Sequence, residues 1–451
     1  MKSKNTSGLK RFWDRFLYRM GWLVPGLGIK RWIGLILIGT TLVGLGLAVL
    51  VLDFYRTAPD TWWLPALSYL SLRFLDRPLR AIIFAGIGMG AILLGIYELN
   101  RSLLRPFLQP GTPVLKTVST YRKRERGPRV VAIGGGTGLS MLLRGLKTYT
   151  HNLTAIVTVA DDGGSSGELR RSMGVLPPGD IRNCLAALSD DETLMTQIFQ
   201  YRFAGSTGLG GHSLGNLFIT ALADITGSFE EGIVESGRVL AIKGRVLPST
   251  LQDVRLVADV QMTAAPAEVR IKGESRIPEA AGRVRRLWLE PNNPHAYPPA
   301  IQSILAAELI VVGPGSLYTS IIPNLLVPDI ANAIRSSRAL KMYICNVATQ
   351  AGETDHYSCR DHVQAIEYHT GEHLFDLVIC NNNFFHPHSA DLEWVGCDHR
   401  MERDYVIYAA DLIDPENPRR HNSDKLAQII MDLYFERTGP ANWKETGAGN
   451  E

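Results

Sequence analysis

The fold of the chain is decided by residues 130–146, which read VVAIGGGTGLSMLLRGL. The apolar run Val130 to Ile133 is typical of a buried strand, and a turn rich in glycine follows it. Apolar side chains then recur with the spacing of a helix that packs on a sheet. The positions of this predicted stripe are Leu139, Leu142, Leu143 and Leu146. Strand, glycine turn and helix together predict one unit of a parallel α/β sheet.

The glycine turn after this strand predicts a phosphate site. Glycine lets the backbone turn sharply and approach an anion, and the first N–H groups of the helix point at that anion. The dinucleotide fingerprint G-x-G-x-x-G would need glycine where Leu139 stands, so an ordinary NAD site is disfavoured. The alternative is a plain βα turn that binds no ligand. This alternative is disfavoured because two more polar turns follow. The residues assigned to the cradle are Gly134, Gly135, Gly136, Thr137 and Gly138.

The first of the two further turns is DDGGSSG at 161–167, which follows a second predicted strand at 153–160. The other is PPGDIRN at 177–183. An acidic residue about twenty positions after a glycine turn holds a ribose in many such sites, and Asp161 or Asp162 is placed for this. The same pair could hold Mg²⁺ across a diphosphate, or it could only cap the next turn. We expect Arg182 to reach a phosphate oxygen. The candidate residues are Asp161, Asp162, Gly163, Gly164, Ser165, Ser166, Asp180, Arg182 and Asn183.

Three later segments also place polar residues where strands end and helices begin. Ser213 is a plausible N-cap, beside which His212 is either a ligand contact or a capping residue. A strand at 309–312 leads into a second glycine turn, after which Tyr318 either stacks on a ring or packs inward. Alternating residues at 254–289 predict a small antiparallel insertion, and 423–435 predicts a closing helix. The candidates added here are His212, Asn216, Gly313, Gly315, Ser316, Tyr318, Asn346 and Gln350.

No catalytic residue can be named from the sequence. The chain has no G-x-S-x-G elbow and no activated serine or cysteine in a known setting. Its five cysteines include no CxxC pair, and its eleven histidines show no ligand spacing, so neither zinc nor an iron–sulfur cluster is predicted. We expect the cysteines to be thiols.

Two apolar runs near the start predict a transmembrane hairpin, which would make lipid a partner of residues 32–97. Trp32–Leu52 is an uncharged run of 21 residues, and Ala81–Tyr97 is one of 17. Residues 1–31 and 98–129 carry eight Lys or Arg each, against four in 53–80. This distribution predicts a multi-pass inner-membrane protein with both termini cytoplasmic. The expected parts are a basic N-terminus (1–31), the hairpin (32–97), a basic linker (98–127) and a cytoplasmic nucleotide-binding domain (128–445).

The charge of the chain is divided unevenly. Residues 1–129 hold 20 basic and 6 acidic residues, a net +14, so a total of +3 leaves −11 for residues 130–451. An acidic domain of this size is a poor partner for a polyanion. We therefore predict that the protein binds no nucleic acid.

The motifs of residues 128–445 resemble the gluconeogenesis-factor (YvcK-like) branch of the CofD superfamily. The motifs that carry the resemblance are GGGTG at 134–138, DDGGSSG at 161–167, PGD-x-RN at 178–183, GH-x-x-GN at 211–216, GPGSLYTS at 313–320 and N-x-x-TQ-x-GET at 346–354. The resemblance implies a Rossmann-like three-layer α/β/α domain. In this chain the predicted hairpin would precede it, which departs from the usual form of the branch.

The resemblance also implies a ligand. The branch binds UDP-sugars such as UDP-N-acetylglucosamine and supports cell shape and wall synthesis on gluconeogenic carbon sources. The other branch transfers a phospholactyl-type group from an activated nucleotide to a deazaflavin. Two hypotheses follow, a UDP-sugar-binding regulator, which is favoured, and a Mg²⁺-dependent transferase. Whether the protein is an enzyme, and whether it forms a homo-oligomer, are left open.

Overall fold

The computed structural model of the chain has two compact units, Met1–Arg122 and Lys123–Glu451. Most of the predicted first span, Trp32–Leu52, and the linker around 110–120 lie outside the residues that the structure describes. The described residues are 37–38, 40–41, 44, 48, 69, 72, 74–104, 124–190, 192–205, 208–262, 267–280, 282–371, 373–385, 392–397 and 404–439.

The N-terminal unit contains a long helix, α1 (Arg77–Leu104), over the second predicted span. Its uncharged stretch, 81–97, rises about 25 Å at 1.5 Å per residue, short of the ~30 Å of a hydrocarbon core. Within the described ranges, no helix is long and apolar enough to cross a membrane. The predicted multi-pass inner-membrane location is therefore wrong, and the hairpin at 32–97 has no support.

The second unit begins with the predicted strand, turn and helix. β1 (Val130–Gly134) leads into α2 (Gly136–Leu146), and the whole predicted apolar stripe of α2 is buried. The second strand is shorter than predicted and ends at Val157 rather than at Ala160. The next elements are β2 (Leu153–Val157), α3 (Gly164–Met173), α4 (Gly179–Leu188), α5 (Glu192–Gln200), α6 (Leu214–Thr226), α7 (Phe229–Val239) and β3 (Arg245–Pro248).

The predicted antiparallel insertion is confirmed as β4 (Arg255–Met262), β5 (Glu268–Lys272) and β6 (Gly282–Glu290), with β4 in the centre. The parallel pattern then resumes. Its elements are α8 (Pro298–Ala306), β7 (Leu309–Val312), a π-helical turn (Leu317–Ile321), α9 (Ile322–Leu325), α10 (Pro328–Ser336), β8 (Leu340–Ile344), α11 (Cys359–Thr370), β9 (Leu377–Asn381), β10 (Val406–Ala410) and α12 (Ser423–Thr438).

Seven strands form one parallel sheet in the order β10-β9-β8-β7-β1-β2-β3. From β1 the chain moves outward through β2 to β3. After the insertion it returns to the other side of β1 and continues outward from β7. The direction of winding therefore reverses between β1 and β7, and in open α/β sheets ligands bind outside the carboxyl ends of the strands at such a point.

The central sheet separates two hydrophobic cores. In β1, Val131 and Ile133 belong to one core, and Val130 and Ala132 belong to the other. The first core also contains residues of α8, α10, α11 and the insertion, whereas the second contains residues of α2, α4, α6, α7 and α12. Because both faces are covered, the strands are apolar throughout rather than alternating. The predicted Rossmann-like α/β/α fold is confirmed.

Candidate functional site

The two glycine turns meet at the reversal point of the sheet. Gly134–Gly138 follows β1, and Gly313–Ser316 follows β7, which pairs with β1 in parallel register. A Cβ atom added to Gly138 would lie 2.4 Å from the carbonyl oxygen of Pro314. Any larger residue at this position would push the two turns apart. The two turns are therefore in contact with each other. We call their joint surface the floor of the crevice, since a ligand crevice is expected at this point of the sheet.

Helix α2 already has an anion at its N-terminus. Its N-cap residue, Gly135, has no side chain to cap the helix. Instead, the Asp180 carboxylate accepts a hydrogen bond from the Gly136 N–H. A Cβ atom at Gly135 would lie 2.5 Å from Asp180 Oδ2, which explains the glycine. Of the first N–H groups of α2, those of Thr137 and Gly138 are the ones we assign to an incoming ligand.

Side chains from the 346–350 segment hold the second turn. Asn346 donates from Nδ2 to the Gly315 carbonyl at 2.9 Å, and its Oδ1 accepts the Gly315 N–H at 3.3 Å. Gln350 donates from Nε2 to Ser316 Oγ at 2.9 Å. Gly313 has φ +83°, a value that favours glycine. Asn346 and Gln350 thus fix the backbone of the turn, and the Gly315 N–H is taken by Asn346.

Both predicted aspartates hold loops in place. Asp161 Oδ1 accepts the N–H of Gly163, the N-cap residue of α3, at 2.9 Å. Asp162 Oδ1 accepts the N–H of Ser275, from the insertion, at 3.0 Å. Gly164, at the start of α3, has φ +44°. The Asp161 carboxylate also accepts a hydrogen bond from the Ser166 side chain, so both carboxylates have a structural role.

Several predicted contact residues form a buried polar network between α3, α4 and α6. Arg182 donates from Nη1 to Ser213 Oγ at 2.7 Å and to Asn216 Oδ1 at 3.1 Å. Asn216 in turn donates to Ser165 Oγ at 3.0 Å and faces Ser166 Oγ at 3.4 Å. Ser213 is the predicted N-cap of α6, because its Oγ accepts the Asn216 N–H. The structure thus brings these residues together in a hydrogen-bond network that positions α3, α4 and α6 relative to one another.

Two further predicted residues have clear positions. His212 Nδ1 lies 3.1 Å from Ser165 Oγ, which attaches this histidine to α3. Tyr318 is 2% exposed, and its hydroxyl lies 2.8 Å from that of Tyr357. The structure therefore takes the inward-packed alternative for Tyr318. Asn183 is half-buried and accepts from the Arg182 guanidinium at 2.9 Å.

Carboxyl groups surround the floor of the crevice, and some of them escape sequence analysis. Burial and the nearby Asp161 raise the pKa of Asp180 to about 6. Burial, with Asp161 and Asp180 nearby, raises the pKa of Glu274 to about 8. Burial also raises the pKa of Glu353 to about 7. These neighbouring acids make the ionised forms costly, so protons or a cation stabilise the cluster.

Glu274 and Glu353 were missed for different reasons. Glu274 lies in the turn after β5 and belongs to no motif, so only the folding of the insertion onto the sheet brings it here. Glu353 stands inside the N-x-x-TQ-x-GET motif, which was a usable signal. It is 5% exposed, and its Oε1 accepts from Thr319 at 3.1 Å, whereas its Oε2 has no hydrogen-bond partner among the residues that the structure describes.

The described residues contain no group of three or more His, Cys, Asp or Glu side chains able to hold a metal ion. A Mg²⁺ ion held by Asp161 and Asp162 alone, with a ligand supplying the other oxygens, is a different arrangement and stays a prediction. Chemically, helix N–H groups and carboxyl groups in their protonated form are both hydrogen-bond donors.

Comparison with known proteins places these features in a family. The profile described as "2-phospho-L-lactate transferase CofD" matches residues 130–412. A protein of Nostoc sp. (strain PCC 7120) is 45% identical over 438 residues, 92% of each chain. The protein of Bacillus subtilis (strain 168) named "Gluconeogenesis factor" is 44% identical over 68% of this chain and 99% of its own length. A crystal structure of a UPF0052 family member from Bacillus halodurans aligns with TM-score 0.63 and 43% identity, covering 68% of this chain and 99% of that one.

Proposed function

The chain belongs to the CofD family, and on that premise we propose that it binds a UDP-sugar, in the first place UDP-N-acetylglucosamine, as a regulatory factor. The observation that carries the proposal is the contact of two glycine turns at the reversal point of the sheet between β1 and β7, where a ligand crevice is expected. The relatives named gluconeogenesis factor suggest that the process is gluconeogenesis. The proposed effects on cell shape and wall synthesis during growth on gluconeogenic carbon sources rest on the resemblance to the YvcK-like branch.

The diphosphate is assigned to the N-terminus of α2. The backbone N–H groups of Thr137 and Gly138 lie in the first helical turn, where they have no intrahelical acceptor. The partial positive charge of a helix N-terminus favours an anion at this place. Asp180 already accepts from Gly136, so the ligand would lie beside a carboxyl group. Protonation of that group, or a cation, would remove the repulsion.

The raised pKa values of the surrounding acids favour protonation as the way in which this repulsion is removed. With a pKa of about 8, Glu274 is mainly neutral at pH 7. A neutral carboxyl group donates a hydrogen bond to a phosphate oxygen, whereas an ionised one repels it. We therefore assign Glu274 as a pH-dependent donor to the diphosphate. Binding should weaken as the pH rises through about 8, because deprotonation replaces a donor by a negative charge.

The uridine and the sugar are assigned by family membership. Asn183 is half-buried and belongs to the hydrogen-bond network between α4 and α6. It is the most accessible residue of that network, which makes it the first candidate for a contact with the ligand. His212 and Asn216 are mainly buried, and we assign them to positioning Ser165 and Ser166 at the start of α3. Arg182, whose donors already serve Ser213 and Asn216, has the same positioning role rather than the phosphate contact first expected.

Calorimetric titration of the protein with UDP-N-acetylglucosamine, UDP-glucose, GDP and NAD⁺ tests the proposal. We expect binding of UDP-N-acetylglucosamine that is tighter than that of GDP and NAD⁺. The same titration at pH 6.5 and at pH 9 should show weaker binding at the higher pH, and Glu274→Gln should remove that difference. Tight binding of NAD⁺ or GDP without a response to either UDP-sugar would overturn the proposal.

A second function, a metal-dependent transferase that uses a nucleotide-activated substrate, is favoured by the carboxylate cluster and by the description of the family. Asp161 and Asp162 would hold Mg²⁺ through carboxylate oxygens, which at present accept hydrogen bonds from Gly163 and Ser166 and from Ser275. The ion would supply charge neutralisation across the diphosphate. An assay for release of nucleotide from the bound ligand, with and without Mg²⁺, separates the two functions. Turnover of a nucleotide-activated substrate supports the transferase, and binding without turnover supports the regulator.

A further inference from the structure

Four of the five cysteines, which are far apart in sequence, come together beside the sheet. Cys345 follows β8, Cys380 lies in β9, Cys359 begins α11, and Cys397 lies in the segment 392–397. The thiols of Cys380 and Cys397 are 2.7 Å apart. Cys359 makes hydrogen-bond contacts with the thiols of Cys345 and Cys380. The fifth cysteine, Cys184, is buried in α4 and provides an internal reference.

The members of this thiol cluster differ in access to solvent. Cys345, Cys359 and Cys380 are completely buried, whereas Cys397 is partly exposed. The contact with Cys359 and burial raise the pKa of Cys380 to about 12, so its thiolate is scarce at neutral pH. A soluble oxidant therefore reaches Cys397 first, and Cys380 is the thiol placed to react second.

We propose that Cys380 and Cys397 are a modification site, a thiol pair that peroxide oxidises reversibly to an intramolecular disulfide. The pairing distance, the exposure of one partner and the burial of the other carry this assignment. It is independent of the ligand proposed for the crevice.

The reaction balances with hydrogen peroxide as the oxidant. The Cys397 sulfur attacks one oxygen of peroxide, the O–O bond breaks, and Cys397 sulfenic acid and water form. The Cys380 sulfur then attacks the sulfenic sulfur, an S–S bond forms, and the S–O bond breaks to release a second water. In total, two thiols lose two electrons and two protons to one peroxide. A small-molecule dithiol reverses the change by thiol–disulfide exchange.

The disulfide would act on a segment that supports the crevice. Residues 392–397 pair with the segment after β8, since the Val395 N–H donates to the Val347 carbonyl at 3.1 Å and the Thr349 N–H donates to the Glu393 carbonyl at 2.9 Å. That neighbouring segment also carries Asn346 and Gln350, which hold the second glycine turn. A disulfide between Cys397 and Cys380 of β9 would link segment 392–397 covalently to the sheet and thereby restrict the motion of the segment that holds the second glycine turn.

Mass spectrometry of the full-length protein tests the proposal. The protein is treated with peroxide in its native state, alkylated under denaturing conditions, and digested with Glu-C protease without reduction. Because Glu393 lies between the two cysteines, Glu-C separates them unless a disulfide joins them. We expect a linked pair of peptides that disappears after dithiothreitol and is absent from Cys397→Ser. The matched control, Cys184→Ser, should retain it.

Hydrogen exchange of the unsubstituted protein provides a readout that needs no variant. Oxidation should slow amide exchange at residues 392–397 and 347–349 and leave the exchange of α12 unchanged. A linked Cys359–Cys380 pair, alkylation of both Cys380 and Cys397 after peroxide treatment, or irreversible oxidation of Cys397 alone would each overturn the proposal.

Discussion

Asp161 has two properties that substitution can separate. Its Oδ1 accepts the Gly163 N–H, and its negative charge raises the pKa of Asp180 and Glu274. Asn keeps an acceptor oxygen and removes the charge, whereas Ala removes both. We expect Asp161→Asn to melt close to the unsubstituted protein, and Asp161→Ala to lose about 0.5–2 kcal/mol of unfolding free energy, as for a lost cap.

The effect of Asp161→Asn on the ligand distinguishes a metal-binding role from a structural one. If Asp161 holds Mg²⁺, the substitution removes the gain in UDP-N-acetylglucosamine affinity that Mg²⁺ provides, while the affinity without Mg²⁺ is equal or higher. Titration calorimetry with and without Mg²⁺ measures both values. A destabilised variant whose affinity is unchanged in both conditions would leave Asp161 with the capping role only.

Glu274 links the stability of the fold to pH. Its pKa is about 8 in the folded protein against an ordinary value of 4.5, so between these values the folded state binds more protons than the unfolded chain. Stability therefore falls as the pH rises through this window. Because Gln cannot ionise, Glu274→Gln should melt higher than the unsubstituted protein at pH 8.5, and the difference should shrink toward pH 5.

Thermal melts at several pH values measure this effect, and Glu279→Gln is the control. Glu279 is exposed in the short helical turn that follows the same loop. Its substitution removes an exposed carboxylate from the same region and leaves the buried one in place. Parallel curves for Glu274→Gln and the unsubstituted protein would show that Glu274 is ionised throughout.

At the scale of elements, the contact of the two glycine turns can be tested by one methyl group. A Cβ atom at Gly138 would lie 2.4 Å from the Pro314 oxygen and 2.8 Å from its carbonyl carbon, both backbone atoms that cannot rotate away. We expect Gly138→Ala to cost about 1–3 kcal/mol of unfolding free energy, the usual range for overpacking. It should also weaken ligand binding, because the floor of the crevice opens.

Gly134→Ala is the matched comparison for Gly138→Ala. Gly134 lies in the same turn, and the nearest atom to an added Cβ, in Leu139, is 3.6 Å away, an ordinary contact. Chemical denaturation should therefore show a much smaller loss for Gly134→Ala. Equal losses for the two variants would mean that helix and strand propensity, rather than contact between the turns, determine the choice of glycine.

The elements that could be predicted from sequence are those whose signal is local. β1, α2 and β7 have apolar runs or stripes beside glycine turns, and the insertion shows alternation. β3 and β10 were not predicted. β3 has only four residues and ends in proline, and β10 is an edge strand with half of its side chains toward solvent. β3 is recognisable as a strand only by its pairing with β2, and β10 only by its pairing with β9.

The site follows the same division. Its motif residues could be found because a glycine turn and the start of a helix each consist of residues that are consecutive in the sequence. Their partners could not be predicted, since Glu274 comes from the insertion and the four cysteines come from four separate segments. The positions of Arg182 and Tyr318 depend on hydrogen-bond partners far away in the sequence, Ser213 and Tyr357, which spacing along the chain does not reveal.

At the scale of the whole molecule, both hydrophobic cores belong to the second unit. Their residues run from Val130 to Tyr434, and in the described part of the chain none comes from before β1. The negative charge of −11 also lies in residues 130–451, so the prediction that this unit avoids nucleic acid concerns the same residues. The core residues and the negative charge of the second unit thus both lie outside the basic N-terminal part of the chain.

A protein that begins at Lys123, where the second unit begins, should therefore fold alone. We expect its melting temperature and its affinity for UDP-N-acetylglucosamine to match those of the full chain, because no core residue is removed. A protein that begins at Ala132 is the control. It lacks half of β1, which pairs with β2 on one side and β7 on the other, and it should fail to give a cooperative melt. A loss of cooperative melting in the protein that begins at Lys123 would show that the cores depend on residues before that point.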